Sequence, residues 1–91
     1  MFYEEHCPEG YKFQEGDAEG FQFAIRGPSG LFYNPFSFID DCAKLCDGIE
    51  QCKAIEWSPS ERKCVLINAP NANGPKYLDY LFCTKGLNNS V

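Results

Sequence analysis

The sequence predicts a small disulfide-rich α+β domain, with one helix and several short strands. Three observations carry that expectation. Six cysteines, Cys7, Cys42, Cys46, Cys52, Cys64 and Cys83, fall within 91 residues. A single stretch, Ile39 to Ile49, repeats apolar residues at helical spacing. Short runs of β-branched and aromatic residues, broken by Gly, Pro and Asn clusters, read as strands.

The length makes one domain, with its core over residues 7–84 and a frayed tail at 85–91. So small a core is marginal without covalent staples, because small domains bury a smaller share of their surface. An even cysteine count in a short acidic chain suggests a disulfide framework and an oxidising compartment. The expected location is therefore outside the cell, in a secreted protein or on the outer face of a surface protein. The formal net charge is −5 and no Lys/Arg cluster occurs, which argues against nucleic acid and polyanions as partners. No apolar run is long enough to span a bilayer. No signal peptide precedes Phe2, so a secreted origin implies a mature or excised segment.

Tyr11 to Phe13 reads as a short strand closed by Glu15-Gly16-Asp17. Phe21, Phe23 and Ile25 alternate with Gln22, Ala24 and Arg26, the period of a half-buried strand. Gly27 to Gly30 makes a turn, and Leu31 to Phe36 is extended around Pro35. The helix follows. Ser37 with Asp40 resembles a capping box, and Asp40 and Asp41 suit the dipole of the first turn. Ile39, Cys42, Cys46 and Ile49 share a face, so both cysteines should look into the core, and Gly48 should stop the helix. Lys53 to Ser58 and Lys63 to Asn68 flank a turn of about four or five residues and read as a hairpin. Ala69 to Pro75 is a loop. Tyr77 to Thr84 is a last strand, apolar on both faces except at Asp79, which suggests a covered central position.

Six cysteines allow fifteen pairings, and spacing alone does not choose among them. Cys52 lies just past the helix end, where a bond to Cys46 closes a short loop. Cys64 on the hairpin can then reach Cys42, and Cys7 and Cys83 remain to tie the ends.

The run Asp41-Cys42-Ala43-Lys44-Leu45-Cys46, then Cys52-Lys53-Ala54-Ile55-Glu56-Trp57-Ser58, then Lys63-Cys64-Val65-Leu66 resembles the PAN/apple domain family. There a Cys-x-x-x-Cys helix precedes a Cys-x-small-apolar-x-aromatic strand and a Cys-x-Leu strand. Cys7 and Cys83 match the outer disulfide. The resemblance covers nearly the whole chain and is specific from Cys42 to Leu66. It implies a twisted antiparallel sheet with one helix packed across it, and the nested pairing Cys7–Cys83, Cys42–Cys64 and Cys46–Cys52. It also implies an interaction module, since apple-type domains serve blood proteases, adhesins, receptor kinases and matrix proteins. It does not fix a ligand.

No catalytic constellation is expected. His6 is the one histidine, and a disulfide at Cys7 removes the thiol beside it. Cys42, Cys46, Cys52 and Cys64 do not form two zinc knuckles, and Asp40, Asp41 and Asp47 lack the ligand spacing of a calcium loop. No cofactor is implied. The expected function is protein binding or adhesion, as one unit of a larger protein, with carbohydrate binding as the alternative. For a sugar, the candidate contacts are Lys76, Tyr77, Asp79 and Tyr80, which combine aromatic rings with an amine and a carboxylate. On a strand Tyr77 and Asp79 would share a face opposite Tyr80. Tyr33, in Phe32-Tyr33-Asn34-Pro35-Phe36, is a further surface candidate. Trp57 belongs in the core beneath the helix. Asn88-Asn89-Ser90 is a glycosylation sequon in the tail.

Overall fold

The structure, a computed structural model, describes residues 7–18, 24–25, 38–75 and 78–85. The elements run β1 (Tyr11–Gln14), β2 (Ala24–Ile25), α1 (Ile39–Asp47), β3 (Ala54–Ser58), β4 (Lys63–Ile67) and β5 (Leu81–Lys85). The strands form one antiparallel sheet in the order β1-β5-β3-β4-β2. Thus β3 is central and β5 lies between β1 and β3, the covered position its composition predicts. The expected small disulfide-rich α+β domain is what forms. The expectations on Phe21 to Phe23, on residues 27–36 including Tyr33, and on His6 and Asn88 lie outside the described residues.

Helix α1 packs against β3 and β4. Its buried face is Cys42, Ala43 and Cys46, and Asp40, Lys44 and Asp47 are exposed. The helix starts one residue later than a cap at Ser37 predicts. Phe38 holds the cap position, in extended conformation and with no side-chain cap bond. Its carbonyl instead accepts from the Asp41 amide at 3.0 Å. Gly48 ends the helix, and its amide and that of Ile49 bond back to Leu45 and Cys46.

Alternation along β3 divides the core. Ile55 and Trp57 face the helix with Leu66, Cys64 and Cys83. Ala54 points the other way, into a second cluster with Ala18, Val65, Ile67, Tyr80 and Phe82. Every residue of β3 is buried, so the sheet is covered on both faces. The β3–β4 hairpin closes through four residues, and the Arg62 amide reaches the Ser58 carbonyl at 2.7 Å. Arg62 adopts a left-handed φ of 57° to do so.

All six cysteines are bridged, as Cys7–Cys83, Cys42–Cys64 and Cys46–Cys52. That is the nested pattern expected. The first joins the two ends, the second pins the helix to β4, and the third fastens the helix exit to the start of β3.

Strand β5 starts four residues later than expected and reaches Lys85, placed in the tail by the sequence reading. Leu78 takes a left-handed φ of 51° in a turn with Asp79. Asp79 then accepts from Ser58 Oγ at 2.8 Å and from the Ser60 amide at 3.0 Å. Those two bonds hold the segment at the tip of the hairpin rather than in the ladder.

Candidate functional site

Beyond β1 the chain turns at Glu15-Gly16-Asp17 and meets the loop that follows β4. Asp17 and Gly74 form an isolated antiparallel bridge. The Asp17 amide donates to Gly74 O at 3.1 Å, and Asp17 O accepts from the amides of Asn73 at 2.9 Å and Gly74 at 3.0 Å. Gln14 strengthens the contact, since its Nε2 donates to Asn71 Oδ1 at 3.0 Å and its Oε1 accepts from the Ala72 amide. The approach demands glycine at position 16. Its φ is +105°, and a Cβ there would lie 2.5 Å from Gly74 O.

Phe13, Glu15, Gly16, Gly74, Pro75 and Tyr80 line a recess of about 420 Å³ between these loops. Glu15 and Phe13 are exposed, so the recess has one acidic and one aromatic wall. Leu78 is 65% exposed, two residues before Tyr80. Gly16→Ala is therefore expected to disturb this region first. Strain at a left-handed position costs about 1–3 kcal/mol, and the methyl group must also push Gly74 away. Urea denaturation should show that loss, and proton NMR should show displaced Gly74 and Asn73 amides. An unshifted Gly74 amide would mean the two loops are not in contact.

Next in the chain to the lining Gly16 is Asp17, one of a polar pair that sequence reasoning missed. Glu56 is 0% and Asp17 1% exposed. The Ala18 amide donates to Glu56 Oε2 at 2.8 Å. The Glu56 carboxyl is raised to about 9, by burial first and then by Asp17, while the Ala18 amide pulls the other way. The signal in the sequence was a carboxylate between Ile55 and Trp57 in the most apolar strand. Nothing comparable marks Asp17, which reads as an ordinary turn residue.

The expected sugar contacts divide. Tyr80 is only 2% exposed and packs with Ala18, Ala54, Val65, Ile67 and Phe82. Its edge reaches the recess, but its ring offers no open face for stacking. Asp79 serves the hairpin tip. Burial acts to raise its carboxyl, but the hydrogen bonds from Ser58 and Ser60 outweigh that and hold it below the usual carboxylate range. Because Leu78 and Asp79 form a turn, strand alternation does not decide which residues share a face here. Lys76, Tyr77 and Tyr33 lie outside the described residues. Phe13 and Glu15 are the wall residues that the sequence reading did not single out.

On the helix side, Tyr11 donates to Asp47 Oδ1 at 2.8 Å and approaches Ala43 O at 3.2 Å. Burial, with Asp47 adding to it, raises its phenol above the ordinary value. These bonds clip the edge strand to the helix and lie apart from the recess residues. No helix among the described residues is long and apolar enough to cross a membrane.

No family model, curated protein or solved structure matches the chain.

Proposed function

We propose that the chain is a non-catalytic binding module of PAN/apple type that works outside the cell. It forms one unit of a larger secreted or surface protein, and its partner is a protein. Three disulfides in one small domain support an oxidising compartment. The observation that carries the binding reading is exposed apolar surface, with Phe13 in the wall of the recess and Leu78 two residues before Tyr80, which lines it. Phe13 is 58% and Leu78 65% exposed. An aromatic anchor beside a concave surface is how protein interfaces concentrate their energy.

Carbohydrate is the second reading. A recess of about 420 Å³ with a Glu15 carboxylate suits one or two sugar rings.

The test is a pull-down from extracellular material with the oxidised domain, run beside a glycan array. Phe13→Ala and Leu78→Ala remove exposed side chains, so both should fold like the wild type. Loss of a central anchor costs about 2 kcal/mol or more, or roughly 30-fold in affinity. A captured protein that either variant releases supports the first reading. Glycan binding without a protein partner supports the second. If a partner binds both variants as tightly as wild type, the recess is not the binding surface.

A further inference from the structure

Strand β3 is the centre of the sheet, and Glu56 is the middle of β3. Its register partners are Val65 on β4 and Phe82 on β5, both buried and apolar. A carboxylate in that setting is costly unless it is paired or protonated. The groups that meet it come from the turn after β1. The Ala18 amide donates to Glu56 Oε2 at 2.8 Å, which sets the buried Asp17 carboxyl, one residue earlier, beside the same side chain. No donor among the described residues reaches Glu56 Oε1. Other titratable groups lie towards the same face. They are Lys63 on β4, which pairs with Glu61 at 3.4 Å, Asp79 and Tyr80 before β5, and Glu15 in the turn itself.

The turn that supplies Asp17 also walls the recess. Gly16 precedes Asp17, and the Asp17 backbone holds Gly74 through two hydrogen bonds and Asn73 through a third. Both glycines line the recess. Whatever fixes Asp17 against the sheet therefore fixes both walls.

We propose that Glu56 keeps its proton in the folded domain and donates it to the Asp17 carboxyl group, and that this bond latches the turn to the sheet and holds the recess in shape. Removing the proton places a buried carboxylate against Asp17. The turn is then repelled, while the Ala18 amide still pulls on Glu56 Oε2. The wall at Gly16 moves with Asp17, and Gly74 moves with it through their shared bridge. The recess is thus coupled to a proton on the central strand of the sheet. The inference concerns the regulation of the binding surface proposed above, so its test uses no ligand.

Carbon-detected NMR of the oxidised wild-type domain would follow the Glu56 carboxyl through a pH titration. Amide spectra would follow Gly16, Asp17 and Gly74 in the same samples. The Glu56 carboxyl should titrate near pH 9 rather than near 4.5. The three amides should shift with the same midpoint. Glu56→Gln keeps the shape, can donate to Asp17 and can accept from Ala18, so its amides should stay at their low-pH positions throughout. A Glu56 carboxyl that titrates in the ordinary range overturns the proposal. So do recess amides that stay still across the Glu56 midpoint, or that still shift in Glu56→Gln. The wild-type titration decides the matter alone if the variant does not fold. Because ligand is absent, a failed binding experiment leaves this result intact, and the reverse holds.

Discussion

Replacing Cys42 and Cys64 together by serine is expected to abolish fixed tertiary packing, while the same change at Cys7 and Cys83 leaves a folded but weaker domain. Chain entropy alone ranks them the other way. The outer loop is longer, and the model gives about 4–5 kcal/mol for it against about 3–3.5 for the inner one. Position reverses the order. Cys42 and Cys64 are both fully buried among Ile55, Trp57 and Leu66. Two serine hydroxyls without partners there cost about 1–3 kcal/mol each. With the lost loop closure, the total is a large share of the roughly 5–15 kcal/mol that a domain has. The nine-residue helix is also too short to persist alone. Its remaining bridge, Cys46–Cys52, spans only six positions and does not tie it to the far side of the sheet. The outer bridge instead secures an edge strand, which keeps its ladder to β5 and its Tyr11 bonds to the helix. Near-ultraviolet circular dichroism, dominated by buried Trp57, checks the ranking. An unchanged spectrum for Cys42→Ser/Cys64→Ser would falsify it.

The second large effect is on stability as pH rises. The folded-state value of Glu56 is raised from 4.5 to about 9. A raised carboxyl contributes stability that is fully present below the unfolded value and is lost as pH climbs through the folded one. Between those limits the unfolded chain releases a proton that the folded chain keeps, and unfolding gains from each step in pH. One proton is worth at most about 1.4 kcal/mol per pH unit. Wild type should therefore lose several kcal/mol between pH 5 and 9, and Glu56→Gln should lose much less. Urea denaturation of the two proteins at intervals across that range gives the difference. Parallel curves would place Glu56 in water or beside a cation that neutralises it.

Much of this was legible in the residues because each signal was local or chemically strict. The helix is readable because Ile39, Cys42, Cys46 and Ile49 repeat at one spacing. The hairpin is readable because Pro59 and its neighbours interrupt two apolar runs. The disulfide pattern is what the resemblance to PAN/apple domains implies, and the shared helix face of Cys42 and Cys46 agrees with it. The start of β5 was not readable, because Asp79 gives its hydrogen-bonding capacity to Ser58, 21 positions away, and such a bond leaves no periodic mark. Tyr80 is a candidate sugar contact in the sequence because it stands within five residues of Lys76, Tyr77 and Asp79. Its burial depends on Ala18, which reaches that face only through the bridge at Gly74. The pair of Asp17 and Glu56 is also non-local, with 38 positions between Ala18 and its carboxylate partner. The recess arises wholly from contacts of this kind.

The bridge between Cys7 and Cys83 lies where β1 and β5 run side by side, and it joins residues 76 positions apart. The chain therefore enters and leaves the domain at neighbouring points, with a covalent bond across them. A pulling force applied through flanking segments would pass from one sulfur to the other and would bypass everything between. The helix, the central strands and the recess would carry almost no tension. In flow, or between two surfaces, the domain would behave as a rigid bead on a tether, and its binding surface would keep its shape until that one bond is reduced.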